Sequence, residues 1–241
     1  MLQNGFLGNS LGGCSSSSVS LFDSADFTAL ISVNLLCMSN QPSICVFCGS
    51  ADGADPAYAK TAKELGDKIA EAGMGLVYGG ATVGLMGILA DAVIAGGAEV
   101  VGVMPDVLMD REIAHRRVTH FHVVKTMHER KALMYDHADA FIALPGGYGT
   151  LDEFIEIVTW AQLKIHQKPC ILINTNGYYD AFLAFLNHAM SQGFLKPENR
   201  KLIQVAKDAE ASLAIVQSCW NGNQTRPSSN AELDQLIGKK K

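Results

Sequence analysis

Three short stretches of this chain combine residue types suited to handling an anionic substrate. The densest is Pro145-Gly146-Gly147-Tyr148-Gly149-Thr150-Leu151-Asp152-Glu153. Glycines let a backbone approach an anion closely, and a helix starting there offers unpaired N–H groups at the positive end of its dipole. Such a loop can cradle a phosphate without a lysine. It is neither the GxGxxG fingerprint after a first strand nor a P-loop, because no GK[ST] follows. A local alternative exists: Thr150-x-x-Glu153 fits a capping box, with Glu153 folded back onto the Thr150 N–H and doing no chemistry. That alternative accounts for neither the glycines nor the proline.

The second stretch is Thr126-Met127-His128-Glu129-Arg130-Lys131-Ala132. Thr126 and Glu129 predict a capping box, which puts Arg130 and Lys131 in the first helical turn or just beyond it. Cations there oppose the macrodipole at about 0.3–1 kcal/mol each. A local rule broken in this way marks a place where an anion can compensate, although a pair of solvated surface charges is the plainer reading. Arg130, with its planar fork, suits phosphate or carboxylate better than Lys131 does.

The third stretch, Gly79-Gly80-Ala81-Thr82-Val83-Gly84-Leu85-Met86-Gly87, again runs from a strand end through paired glycines into a helix. Gly84 and Gly87 each cost about 1 kcal/mol against alanine in a helix. Close packing or a bound ligand would explain either, and the sequence does not separate the two. Two glycine loops facing one crevice can hold a phosphate and its sugar. Elsewhere, Cys45 and Cys48 have CxxC spacing but fall on a strand, where an offset of three sends side chains to opposite faces. With no second CxxC, and with His120 and His122 lacking carboxylate neighbours, no metal site is expected.

The elements that must position these residues alternate regularly. Short apolar runs at 44–47, 74–78, 99–103, 118–124, 140–144, 170–174 and 202–205 predict strands; amphipathic segments at 56–72, 83–95, 126–137, 150–165, 178–191 and 208–219 predict helices. Strands apolar on both faces and joined by helices predict an α/β fold: a Rossmann-like, doubly wound parallel sheet with helices on both faces. Ligands bind such sheets at the carboxyl ends of the strands.

The chain has 241 residues, 48% apolar and 18% charged, with a formal net charge of −5. That size fits one domain, expected over 38–220. The acidic balance argues against a nucleic-acid polymer as partner. No apolar run is long enough for a bilayer, so no membrane association is expected. Six cysteines without a dense framework suit a reducing, cytoplasmic setting. Residues 1–37 contain no Lys or Arg and a serine run; they read as a disordered leader or as sequence upstream of a true start at Met38. The polar stretch 221–241 reads as a tail.

In this order, the three stretches resemble the LOG family, the cytokinin riboside 5′-monophosphate phosphoribohydrolases. Cys48-Gly49-Ser50, Gly79-Gly80 with Gly84-Leu85-Met86-Gly87, Met127 to Ala132, Pro145 to Glu153 and Thr159-Trp160-Ala161-Gln162-Leu163 all look like its motifs. The likeness spans about 43–219; Asp152 stands where plant members commonly have Glu. It implies hydrolysis of the N-glycosidic bond of N6-substituted adenosine 5′-monophosphates, to free base and ribose 5-phosphate, without cofactor or metal. Arg130 and Glu153 would be catalytic. Gly146, Gly147, Tyr148, Gly149 and Thr150 would bind the 5′-phosphate, Lys131 would be a secondary contact and Thr159 would support the pocket. Glu112 matches a substrate-binding acid, and Gly79 and Gly80 form the second glycine loop. Asp152, about 100° round the helix from Glu153, cannot face it as a second carboxylate. The resemblance also implies a homodimer, for which the helix at 150–165 offers an apolar, aromatic surface; burial inside the monomer explains that surface equally well.

Family members are often labelled lysine decarboxylases, but a pyridoxal phosphate enzyme needs a Schiff-base lysine with an acidic partner for the ring nitrogen. No such set is recognisable in this chain. Two other readings compete: a general purine 5′-monophosphate nucleosidase, and a non-catalytic nucleotide or cofactor carrier such as a molybdenum-cofactor carrier protein. A carrier needs the glycine loops but not Arg130 and Glu153 together.

Overall fold

The computed structural model describes residues 41–109 and 114–222. The expectations for 1–37, for Glu112 and for nearly all of the 221–241 tail fall outside those residues. Seven strands form one sheet: β1 (Ser43–Phe47), β2 (Gly75–Tyr78), β3 (Val100–Pro105), β4 (His120–Val124), β5 (Ala140–Ala143), β6 (Cys170–Ile173) and β7 (Ile203–Ala206). Their order is β4-β3-β2-β1-β5-β6-β7, and every pairing is parallel. All seven expected strands are present, and the fold is the doubly wound, Rossmann-like α/β architecture.

The helices are α1 (Pro56–Glu71), α2 (Gly84–Ala95), α3 (Met127–Asp136), α4 (Tyr148–Gln162), α5 (Asp180–Ser191), α6 (Pro197–Arg200) and α7 (Ala209–Gly222). Only the four-residue α6 was not foreseen; a single turn carries no periodicity to read. Helices α1, α2 and α7 pack on one face of the sheet, while α3, α4 and α5 cover the other. Strand β1 shows why both faces are apolar. Ile44, Val46 and the following Cys48 point into the first core, whereas Cys45 and Phe47 point into the second. The CxxC pair is thus split across the sheet as its strand spacing requires, and both thiols are free.

Local signals set the helix starts. Asp55 caps α1 by accepting the Ala57 N–H at 2.8 Å, with Pro56 at the first position. Thr126 caps α3 by accepting the Glu129 N–H at 3.1 Å, and the Glu129 carboxylate takes the Lys125 N–H at 2.8 Å, one residue before the cap. The alternative reading of Thr150–Glu153 as a capping box at the helix start does not hold. Helix α4 begins at Tyr148, with Gly147 as its cap residue and no side-chain cap. The tight turn off β5 ends at a glycine, so the helix starts two residues before the threonine. Thr150 and Glu153 lie inside it, both buried.

The strand order reverses at β1, which lies between β2 and β5. The Leu144 N–H donates to Phe47 O at 2.9 Å, and the Gly49 N–H to Pro145 O at 3.0 Å. The Cys48–Ser50 turn and the glycine loop after β5 are therefore stitched side by side at the switch point, where open α/β sheets bind ligands.

Candidate active site

Arg130 is 7% exposed, and three contacts fix its guanidinium. Its Nε donates to Val103 O at 3.0 Å, one Nη donates to Gly79 O at 3.2 Å, and the other Nη lies 3.2 Å from Glu153 Oε1. These partners belong to β3, the turn after β2, and α4. The arginine that opposed the dipole of its own helix is thus paired with a carboxylate from another. Both side chains are close to nine-tenths buried, so water screens the pair weakly and a break would leave a desolvated charge.

The glycines divide into two groups. A methyl on Gly79 would strike the Arg130 guanidinium, so this glycine makes room for the arginine. Gly80 has φ +81 and sits against Val103 N and the Phe121 ring. Gly84, at φ +58, packs on the Ser50–Ala51 backbone, and Gly87 on the carbonyl of Thr82. For Gly84 and Gly87, close packing is thus reason enough. On the other loop, a methyl on Gly146 would meet the Thr150 side chain and the Gly49 amide, whereas at Gly147 and Gly149 it would meet nothing within 4 Å. Those two glycines border open space at the start of α4. Tyr148 between them is 95% exposed.

Lys131 lies beside Arg130 in the chain but faces elsewhere, pairing with Asp152 at 3.2 Å and with Glu156. Burial pulls its pKa down, but these two carboxylates outweigh that and hold it above the usual lysine value. Thr159 is exposed and donates its hydroxyl back to Ile155 O at 2.8 Å, so it is not brought to the Arg130–Glu153 pair. The Cys45 and Cys48 thiols are pushed well up, first by burial and then by the negative charge of Glu153. They stay protonated, so neither is a thiolate nucleophile. Among the described residues, no group of three His, Cys, Asp or Glu side chains is placed to hold a metal ion. No helix there is long and apolar enough to cross a membrane.

Two features of the site were not read from the sequence. His115, 2% exposed, places Nε2 3.0 Å from Asp91, and its backbone N–H donates to Gly80 O at 2.9 Å. It anchors the returning end of the β3–β4 loop to α2 and the second glycine loop. Tyr178 and Tyr179, just before α5, reach back to the first glycine loop. Their signal was a hydroxyl-bearing aromatic pair just past the carboxyl end of a strand.

A glycine loop opening a helix at the switch point of the sheet, with a buried Arg–Glu pair on that helix and its neighbour, defines a Rossmann-like α/β protein with a candidate site there. Residues 86–216 match a family model described as "Possible lysine decarboxylase". The chain is 50% identical over 167 residues to cytokinin riboside 5′-monophosphate phosphoribohydrolase LOG7 of Arabidopsis thaliana, covering 69% of this chain and 77% of that one. It is 52% identical over 166 residues to the enzyme LOG of Oryza sativa subsp. japonica, covering 69% of each. To the cytokinin riboside 5′-monophosphate phosphoribohydrolase of Rhodococcoides fascians it is 48% identical over 177 residues, covering 73% and 89%. The chain belongs to the LOG family. Among solved structures, the molybdenum cofactor binding protein of Rippkaea orientalis superposes with a TM-score of 0.57 at 22% identity, covering 75% of this chain and 98% of that one. That likeness concerns the fold alone.

Proposed function

We propose that this protein is a hydrolase that adds water across the N-glycosidic bond of cytokinin riboside 5′-monophosphates, giving free base and ribose 5-phosphate. The observation that carries this reading is the buried Arg130–Glu153 pair, 3.2 Å apart, which joins α3 to α4, the helix that begins within the glycine loop. Breaking the bond to C1′ places positive charge on the ribose, as in other glycosidic hydrolyses. Glu153 stabilises that charge and activates the attacking water. Arg130, gripped by two carbonyls, orients the carboxylate and holds the substrate. Gly146 to Thr150 bind the 5′-phosphate, with the open positions at Gly147 and Gly149 giving it access. Glu112 is assigned to the ribose or base. Lys131, tied to Asp152 and Glu156, clamps α3 to α4 and so sets the spacing of the catalytic pair.

The pairing of Lys131 also weighs against the decarboxylase description. A Schiff-base lysine must lose its proton, and two carboxylates hold that proton in place. Against a carrier role stands the Arg130–Glu153 pair itself, since binding alone does not require a buried catalytic carboxylate. A general purine 5′-monophosphate nucleosidase would share the whole site and differ only in the base it accepts.

We assign the protein to the cytoplasm, where its free thiols suit a reducing setting, and to a homodimer built on the outer faces of α4 and α5. Incubation with AMP and with N6-isopentenyl-AMP, measuring free base and ribose 5-phosphate, tests the activity and the base preference together. Release of neither product would refute it.

A further inference from the structure

Three successive carbonyls of the turn between β5 and α4 are tied down from outside it. Leu144 O accepts the Tyr179 hydroxyl at 2.7 Å, Pro145 O accepts the Gly49 N–H at 3.0 Å, and Gly146 O accepts the Tyr178 hydroxyl at 2.7 Å. Carbonyls carry negative partial charge and would repel a phosphate if free to turn toward it. A planar trans peptide points its C=O and its N–H in opposite directions. The Gly146 carbonyl and the Gly147 N–H share one peptide, so whatever holds the first aims the second. Gly147 is the cap residue of α4 and has no β-carbon to lean on, so local sterics set this peptide weakly. Nor does a side-chain cap hold it.

We infer that Tyr178 is a positioning residue for anion binding: by holding the Gly146 carbonyl it turns the Gly147 N–H away from itself, into the cradle that takes the 5′-phosphate. The inference rests on the phosphate role proposed above for the glycine loop. The two tyrosines differ in kind. Tyr179 is 2% exposed and belongs to the core, whereas Tyr178 is 42% exposed. The Tyr178 ring is held edge-on by Tyr58 at 5.6 Å and by Tyr179 at 4.9 Å. Losing the hydroxyl therefore leaves the ring in place and frees one peptide to rotate.

The test is Tyr178→Phe in the full chain. With a nucleoside 5′-monophosphate substrate, KM should rise about tenfold, the size expected for one lost or misdirected hydrogen bond to a charged group. The value of kcat should stay within about threefold. The inhibition constant of ribose 5-phosphate should rise in parallel with KM, and the melting temperature should hardly move. Unchanged KM and inhibition constant would overturn the inference, as would a lowered melting temperature with both constants intact, which is the mark of a purely structural contact. If the wild-type chain hydrolyses no nucleotide, the activity assignment fails and calorimetric titration with ribose 5-phosphate decides this inference by itself. Weaker binding by Tyr178→Phe than by wild type supports it. Equal binding, or none by either, overturns it.

Discussion

Arg130 and Glu153 lie 23 positions apart in the chain on different helices, yet their charged groups meet at 3.2 Å in a site where each is about one-tenth exposed. The contact explains why a buried arginine is tolerated near the start of α3. The cost of opposing that helix dipole is offset by a carboxylate from α4 and by the carbonyls of Val103 and Gly79.

For Glu153→Gln, turnover should fall about a hundredfold or more, because an amide neither stabilises a cationic ribose nor accepts a proton from water. Stability should drop by about 1–3 kcal/mol, since Arg130 keeps a neutral acceptor but loses its counter-charge. A capping glutamate would predict a smaller stability change and no kinetic effect, and α4 has no such cap. Steady-state kinetics with urea unfolding on the same sample check both halves; a wild-type rate would remove Glu153 from the mechanism.

Gly79→Ala puts a methyl where the Arg130 guanidinium lies. The side chain must move, taking the orientation of Glu153 with it, and misplacement of a positioned group by about 1 Å can cost roughly a hundredfold in rate. Turnover should therefore fall at least tenfold in a chain that still folds. Circular dichroism and kcat on the purified variant test this, and an unimpaired kcat would show that the arginine accommodates the methyl.

Much of this was readable from residues alone, for physical reasons. The inner strands β2, β5 and β6 announced themselves because a sheet covered on both sides needs runs apolar at every position. The edge strands β4 and β7 instead mix in His120, His122 and Gln204 and are partly exposed. Arg130 drew notice because it broke a helix-dipole rule. What remained hidden depended on contacts distant in sequence. That Gly79 makes room for an arginine 51 positions on, or that Tyr178 reaches back 32 positions to Gly146, follows from strand order and loop path, and neither leaves a periodic trace. The start of α4 was missed for a local reason. Thr150-x-x-Glu153 matches a capping box, but the glycine turn let the helix begin earlier and absorbed the motif into its first turns.

His166 supplies a pH prediction. It is 7% exposed; its Nε2 lies 2.9 Å from Ile157 O, while its Nδ1 accepts the Lys168 N–H at 3.1 Å. That arrangement needs a neutral ring, since a proton on Nδ1 would face the amide proton. Burial, with the Lys168 charge adding to it, holds its pKa below the ordinary 6.5. A histidine with a depressed folded pKa contributes stability above about pH 6.5 that is lost as pH falls through the folded value. Unfolding free energy should thus decline on acidification below about pH 6.5, and His166→Gln should flatten part of that slope. Chemical denaturation at pH 7.5, 6.5 and 5.5 would show it; parallel pH profiles for wild type and variant would place the sensitivity elsewhere.

The last prediction concerns α5. Its inward side, Phe182, Leu183 and Leu186, packs against the core formed with β5 and β6, so the helix is anchored. Its outward side carries Asp180, Asn187, His188 and Ser191, but among them a strip of Ala181, Ala184 and Phe185, with Phe185 62% exposed and Phe194 just beyond the helix 91% exposed. No residue of α5 is fully buried. Large exposed aromatics in one region mark an interface more often than an ordinary surface. A second copy of the chain supplies that interface by symmetry, because a two-fold axis sets the same patch against itself. The wild-type protein should therefore sediment as a dimer at micromolar concentration. Phe185→Glu places two charges near that axis and should weaken association by about thirtyfold or more, as removal of a central aromatic anchor does. The Arg130–Glu153 pair does not involve α5, so the monomeric variant should keep its fold by circular dichroism. A wild-type chain that sediments only as a monomer would leave the outer face of α5 without this explanation.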